Sequence, residues 1–389
     1  MTNEVMIVAG EASGDLHGAQ LVTSMKILDP SLNFCGMGGC ELQKAGVEIL
    51  FEAGKIAVVG LVEVVSHLKD IISAQITLRR RLTQTKPKLL ILIDFPDFNL
   101  LLARKAKRLG IPVFYYVSPQ VWAWRSGRVR TIARLVDKIG VILPFEEQFY
   151  RDRGVDAHYV GHPLLDSVHR TLSLDQFSQI HTIESQKKII GVLPGSRIKE
   201  VKRLLPVFLE ASRLIQQKSD EGLVFLVLRA STIAEQTLLD FGVENSRAQL
   251  DIRIISENQY DMMAACDVAI AASGTVTLEL LLLNIPMVAA YKLSPRTYQF
   301  GKFLVKVRYF SLVNLIANDA IIPELLQDEA NPARIASELC TLLYNKEIRH
   351  QMQKRFDHVR EQLGRPGASQ RAARLALNLI DEHKSPRDG

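Results

Sequence analysis

The feature that most constrains this chain is an alternation in which short, wholly apolar runs end in glycine-rich or small polar loops and are followed by stretches of helical spacing. Val5–Ala9 leads into Gly10-Glu11-Ala12-Ser13-Gly14-Asp15 and then into Ala19, Leu21, Val22 and Met25. The same grammar recurs at Leu89–Ile93 followed by Leu100–Leu109, at Val113–Val117 and at Lys138–Leu143. Runs that are apolar throughout suit strands covered by helices on both faces, so the first half predicts a doubly wound parallel sheet.

Between Asp166 and Ser185 the chain turns polar, and a fresh strand is expected at Lys188–Leu193. Leu223–Leu228, Ile252–Ile255, Val268–Ala272 and Met287–Ala290 follow as strands, with helices expected from Glu200 and Thr275. A chain of 389 residues exceeds one ordinary core, so two domains are expected. They are placed at 1–165 and 186–349, with the basic helical tail 350–389 packing back on the first. The expected class is α/β: two Rossmann-like, doubly wound domains facing each other across a cleft lined by strand-end loops.

The four cysteines form no CxxC pair, which fits free thiols in a reducing compartment rather than a disulfide framework. No basic segment precedes the apolar start, and no apolar stretch is long enough to span a bilayer, so a cytoplasmic location is expected. A net charge of +6 suits an anionic partner, whether nucleic acid, a phosphorylated substrate or an acidic lipid surface.

Five loops carry candidate chemistry. Leu193-Pro194-Gly195-Ser196-Arg197 ends a strand and opens a helix; Gly195 admits an anion to the backbone, Ser196 lies beside it, and Arg197 offers a bidentate fork. The plain alternative is a solvated arginine in a tight turn. Ser273-Gly274-Thr275 also stands between strand and helix, with hydroxyls suited to a diphosphate, and Glu279 one turn on is either a ribose acceptor or a surface carboxylate. Asp94-Phe95-Pro96-Asp97-Phe98-Asn99 puts two carboxylates at a strand end, with Asp97 the candidate base and a helix cap the competing role. Glu11, Ser13 and Asp15 are expected on the same rim, with His17 a weaker candidate on the helix surface. Trp122 and Trp124 beside Arg125 suit a sugar ring, an acyl chain or packing between domains.

Taken together, these strings resemble the lipid A disaccharide synthase family, glycosyltransferases of the GT-B fold. The resemblance runs from Val8–Asp15 through Asp94–Asn99, Val121–Arg125, Leu143-Pro144-Phe145-Glu146, Gly161-His162, Leu193–Arg197 and Ser273–Glu279 to Pro323-Glu324-Leu325-Leu326-Gln327. It covers almost the whole chain. It implies an inverting transfer from UDP-2,3-diacylglucosamine to 2,3-diacylglucosamine 1-phosphate, giving a β-1,6-linked disaccharide phosphate and UDP. It further implies Asp97 as base, Gly195, Ser196, Arg197, Ser273, Gly274 and Thr275 on the diphosphate, Glu279 on the ribose, and Glu11 and Asn314 in substrate contacts. No cofactor or metal is implied. Gln120, Cys40 and Val313 depart from residues common in the family at those points.

Acylated substrates imply peripheral attachment to the cytoplasmic face of the inner membrane. Leu61, Val64, Val65, Leu68, Ile71 and Ile72 recur at helical spacing before Arg79-Arg80-Arg81, as in an interfacial helix and equally as in a core helix. Tyr298, Phe300 and Phe303 among Lys302, Lys306 and Arg308 form a second candidate patch. The rival readings are the peptidoglycan N-acetylglucosaminyltransferase, a UDP-sugar 2-epimerase, a nicotinamide oxidoreductase and a nucleic-acid binder. The first loop lacks GxGxxG, which counts against the oxidoreductase, and phosphate loops in a polar cleft count against nucleic acid.

Overall fold

The computed structural model describes residues 3–56, 68–119, 121–124, 126–293 and 308–384. The chain forms two compact units: residues 1–166 with 365–389, and residues 167–364.

Unit 1 is built on seven parallel strands: β1 (Glu4–Ala9), β2 (Asn33–Gly38), β3 (Val47–Glu52), β4 (Leu89–Ile93), β5 (Val113–Tyr116), β6 (Lys138–Val141) and β7 (Ala157–Tyr159). Their order is β3-β2-β1-β4-β5-β6-β7. Period-two alternation splits the apolar residues between two cores. Met6, Val8, Leu90 and Leu92 face one; Val5, Ile7, Ala9, Leu89, Ile91 and Ile93 face the other. Ala74, Leu78 and Leu82 of the helix Leu68–Thr85, with Phe98, Leu102 and Ala106 of the helix Pro96–Arg108, bury against the first core. Leu21, Val22 and Met25 of Ala12–Leu28, with Ala372, Ala373, Ala376 and Leu379 of the helix Ala368–Lys384, close the second. Fully burying each large aliphatic side chain contributes about 1.5–3 kcal/mol, so both faces are needed.

Unit 2 carries six parallel strands, β8 (Lys188–Leu193), β9 (Leu223–Leu228), β10 (Ile252–Ile255), β11 (Val268–Ala272), β12 (Met287–Tyr291) and β13 (Glu324–Leu326), in the order β10-β9-β8-β11-β12-β13. The helix Ile198–Lys218 buries Val201, Leu204, Leu205, Phe208 and Ile215 at three-and-four spacing, as an amphipathic helix on a sheet must.

In both units strand order reverses beside the first strand, between β1 and β4 and between β8 and β11. A crevice opens at the carboxyl ends of the strands at such a reversal, and this is where open α/β sheets bind ligands.

Two expected boundaries move. The chain enters unit 2 after Asp166, because the polar stretch that follows is anchored there: the backbone N–H groups of Thr171 and Leu172 and the Thr171 hydroxyl donate to the Asp261 carboxylate. The tail also divides. The helix Lys346–Leu363 belongs to unit 2, where it packs on the helices Val276–Leu282, Leu312–Ala317 and Pro332–Tyr344, and only from Arg365 does the chain rejoin unit 1.

Candidate active site

At the unit 1 reversal, Ala9 pairs with Ile93, so the loops after β1 and β4 leave neighbouring strand ends. Gly10 lies under the ring of Phe95: a Cβ there would stand 2.6 Å from Cγ of that ring. Asp94 and Phe95 both adopt left-handed backbone, with φ of 41° and 46°, a conformation that costs energy for residues bearing a Cβ. Buried Asn99 holds the turn by donating from Nδ2 to the carbonyls of Ile93 (3.1 Å) and Asp94 (2.7 Å), and the Tyr115 hydroxyl donates to the same Asp94 carbonyl. The helix then begins at Pro96, a favoured first position, and Asp97 falls in its first turn. Phe95 is the N-cap residue. The Asp97 side chain is 77% exposed and pairs with the guanidinium of Arg128.

Glu11 is half-buried at the N-cap of Ala12–Leu28, and Ser13 is exposed. Asp15, expected on the rim, is instead buried. Its Oδ1 accepts from the backbone of Gly39 (2.6 Å) and Leu42 (3.3 Å), and its Oδ2 from Glu41 (2.9 Å), so it caps the helix Cys40–Lys44. His17 is also buried rather than on the helix surface, and burial brings its pKa down to about 4. Trp122 turns inward, its indole N–H donating to Glu146.

At the unit 2 reversal, β8 pairs with β11, with Leu193 opposite Ala271. Gly195 has φ of +109°, and a Cβ there would meet Glu200 Oε2 at 2.7 Å and the Ala272 Cβ at 3.4 Å. The conformation therefore requires glycine, and its loop lies against the end of β11. Ser196 and Arg197 are exposed at the start of the long helix, and an Arg197 Nη approaches Glu200 Oε1 at 3.3 Å. Ser273, Gly274 and Thr275 follow β11, and the Ser273 hydroxyl donates to the Phe310 carbonyl at 3.2 Å. Glu279, in the first turn of Val276–Leu282, has its carboxyl pushed up to about 7 by burial, and the Tyr260 hydroxyl is raised by burial and then by the charge of Glu279. Such a carboxylate gains from hydroxyl donors.

Asn314 is committed inside unit 2. Its Oδ1 accepts from the backbone of Ile321 (2.8 Å) and Ile322 (3.0 Å), and its Nδ2 donates to the Ile322 carbonyl (2.9 Å). Where a substrate contact is expected, both ends of this amide are engaged by the backbone of Ile321 and Ile322. The Glu324 and Gln327 side chains of the last string do similar work. Glu324 accepts from the backbone of Phe310 and Ser311 (2.9 Å each), and the Gln327 amide brackets Leu293.

Of the expected membrane residues, Val64 and Val65 lie outside the described residues, as do Leu61, Tyr298, Phe300, Phe303, Lys302 and Lys306. Leu68 and Ile72 are each 49% exposed and Ile76 is 54% exposed, whereas Ile71 packs partly against the core. The helix therefore has a face packed on the core and an apolar row that stays half-exposed. Among the described residues no helix is long and apolar enough to cross a membrane.

Nothing in the sequence signals Arg128, and Glu146 enters there only within the string Leu143-Pro144-Phe145-Glu146, without a role. Glu146 had a local signal, since a proline and then a glutamate at the first and third positions of a helix mark its start, but Arg128 meets Asp97 only through the fold.

Two doubly wound units, each presenting polar loops at its own switch point, are the architecture of the GT-B fold. Solved structures bear this out at the level of fold: a putative UDP-N-acetylglucosamine 2-epimerase from Listeria monocytogenes has a TM-score of 0.64 at 12% identity, covering 100% of this chain and 98% of its own. The Acinetobacter baumannii MurG structure has a TM-score of 0.57 at 16% identity, covering 96% and 99%.

Sequence comparison is more specific, for the lipid-A-disaccharide synthetase family pattern matches residues 5–379. The lipid-A-disaccharide synthases of Syntrophus aciditrophicus and Trichlorobacter lovleyi are 48% and 46% identical, each over 97% of this chain and over 97% and 98% of their own lengths. The chain belongs to the lipid-A-disaccharide synthetase family, and it is a glycosyltransferase.

Proposed function

We propose that this enzyme joins two acylated glucosamine units, taking diacylglucosamine from UDP and placing it on the 6-hydroxyl of diacylglucosamine 1-phosphate. The acceptor oxygen forms a bond to C1 of the donor sugar from the face opposite UDP, the C1–O bond to the diphosphate breaks, and the hydroxyl proton passes to Asp97. Attack from the opposite face turns an α-linked donor into a β-linked product. Asp97 suits the base role because it is exposed at a strand end on a turn clamped by Asn99 and Tyr115, so its carboxylate is presented rather than buried. Glu11 borders the acceptor on the neighbouring loop.

The departing diphosphate carries the developing charge. Arg197, Ser196 and the backbone at Gly195 stabilise it on one side, and Ser273, Gly274 and Thr275 on the other. Glu279 takes the ribose hydroxyls, whose two donors answer a carboxylate that burial has left in need of them. Asn314 supports this side by fixing the loop through which it acts. The half-exposed row Leu68, Ile72 and Ile76, four residues apart and followed by Arg79 and Arg80, enters the cytoplasmic surface of an anionic bilayer so that the acyl chains need not leave it.

The observation that carries this reading is that the motif loops of the family fall at the strand reversal of each unit. The test is a mass-spectrometric assay in detergent micelles with both proposed substrates. Wild type is expected to yield tetraacyl disaccharide phosphate and UDP, Asp97→Asn to bind UDP without turnover, and Arg197→Ala to lose UDP affinity and rate together. A fully active Asp97→Asn enzyme would remove the base from Asp97.

A further inference from the structure

The string Leu143-Pro144-Phe145-Glu146 finds no part in the transfer as described, yet it places a carboxylate inside unit 1. Glu146 is 1% exposed. Its Oε1 accepts from the Ser118 hydroxyl and from the Trp122 indole N–H, both at 3.0 Å, and its Oε2 accepts from the backbone N–H of Leu143 at 3.1 Å. The neighbouring residues of the helix Pro144–Arg151 grip the same segment. Phe145 meets the Trp122 ring edge-on with centroids 5.0 Å apart, and the Tyr150 hydroxyl donates to the Pro119 carbonyl at 3.2 Å. One helix thus holds Ser118, Pro119 and Trp122 in the chain that leaves β5.

That chain continues through the short turn Ser126–Arg128 into the helix Val129–Leu135, which packs on the helix Pro96–Arg108. Arg128, at the junction, makes the ion pair with Asp97. The path from Glu146 to Asp97 therefore has three parts: a buried carboxylate fixing an indole, a short turn, and a guanidinium resting on the carboxylate.

We propose that Glu146 is a positioning residue for the transfer: it fixes Trp122, and through that segment it sets Arg128 against Asp97. The proposal rests on the reading of Asp97 as base. Arg128 rests on Asp97 Oδ1, so displacement of the turn misaims the base without touching the donor loops of unit 2. A charged acceptor suits this task, because hydrogen bonds to an ionised group are shorter and stronger than those to a neutral one.

Titration supports the assignment. The titratable groups next to Glu146 are Tyr150 on its own helix and Tyr159 on β7; burial pushes both hydroxyls up, the charge of Glu146 adds to that rise, and Arg371 pulls Tyr159 back. Burial raises Glu146 to about 7 against the pull of its donors. Protonation places a hydrogen on an oxygen already facing donors, so the clamp weakens as pH falls through that value.

The test uses the full-length enzyme with Glu146→Gln, Trp122→Phe, their double variant and Asp97→Asn. The readouts are kcat and donor KM from below to above neutrality, and hydrogen exchange at the indole N–H groups. Glu146→Gln and Trp122→Phe are each expected to lower kcat roughly tenfold to a hundredfold with donor KM unchanged, as misplacement of a reacting group does. The double variant is expected to be no worse than the weaker single, since both cut the same link. Wild-type kcat should fall as pH drops through about 7, a limb absent from Glu146→Gln, whose indole proton should also exchange faster. If Glu146→Gln does not fold, Trp122→Phe, which keeps the ring on Phe145, decides the matter by the same kcat and KM split. Wild-type kcat in Trp122→Phe and Glu146→Gln beside an inactive Asp97→Asn overturns the positioning role alone. An active Asp97→Asn overturns the base reading beneath it.

Discussion

The ring of Phe95 rests on Gly10, so the loop after β1 and the loop after β4 are fitted to each other by a contact that leaves no room for a methyl group. Asp97 lies two residues beyond that ring and Glu11 one residue beyond that glycine. The two loops of the unit 1 crevice are therefore one mechanical piece.

Gly10→Ala tests this coupling. The obstructing atoms are Cγ, Cδ1 and Cβ of Phe95, near the root of the side chain, so the ring cannot simply swing aside. A loss of about 1–3 kcal/mol in stability is expected from the overpacking. Turnover should fall by roughly tenfold or more while UDP affinity holds, because the displaced part carries the base. Thermal unfolding, UDP titration and kcat measured on one preparation check it, and an unaltered kcat would count against the shared piece.

Glu279 predicts how UDP binding depends on pH. Its folded carboxyl titrates near 7, and ribose hydroxyls donate best to the ionised form, so affinity should rise with pH through 7. The fold alone responds in the opposite sense. A carboxyl raised above its ordinary value contributes stability at low pH that is lost as pH climbs through 7. UDP ionises at its own terminal phosphate in the same range, so calorimetric affinities must be compared with those of Glu279→Gln. The variant should lose the excess slope and about 1.5–3 kcal/mol of affinity at high pH.

His17 and His162 predict an acid limb of stability. Burial holds them neutral, at about 4 and about 3, and charge on His17 would push His162 down further. Both values lie below that of a free histidine, so their contribution is present above about 6.5 and is lost as pH falls toward 4, where only the unfolded chain takes up the protons. Denaturant melts of wild type and His17→Gln across that window should differ in slope, the variant being flatter. Equal slopes would show that His17 is not held neutral.

The exposed row on the helix Leu68–Thr85 predicts membrane capture without a folding role. Replacing Leu68, Ile72 and Ile76 by Ser removes apolar area that is already about half in water, so the unfolding midpoint should hardly move. Co-sedimentation with anionic phospholipid vesicles should drop, and added salt should weaken what Arg79 and Arg80 retain. Unfolding of the triple variant would place these side chains in the core.

Much of this was readable in the chain because parallel strands buried on both faces leave unbroken apolar runs. Leu89–Ile93, Lys188–Leu193, Leu223–Leu228, Ile252–Ile255 and Val268–Ala272 stand where the runs predict. β2 was harder because Asn33-Phe34-Cys35-Gly36-Met37-Gly38 is short of branched residues, and the reason lies in its neighbour: a Cβ on Gly36 would fall 1.7 Å from the Ile7 carbonyl oxygen. β7 and β13 are three-residue edge strands, too short to show a period. At the site, loops were legible because chemistry and turn geometry share residues. The misplacements of Asp15, His17 and Asn314 have one cause: a polar residue near a motif looks the same in sequence whether it meets a ligand or a backbone amide.

The return of the chain to unit 1 at Arg365 carries a consequence for synthesis. Residues 167–364 form an uninterrupted unit and emerge complete, whereas the face of unit 1 built on Leu21, Val22 and Met25 waits for Ala372, Ala373, Ala376 and Leu379. Asp166, the last residue before the departure, accepts from the backbone N–H of Gly367 at 2.5 Å, so the break in unit 1 is sutured only when the segment from Arg365 through the helix Ala368–Lys384 leaves the ribosome. The part begun first is finished last, and a chain stalled a few dozen residues short displays a greasy, half-built sheet to every chaperone and protease it meets.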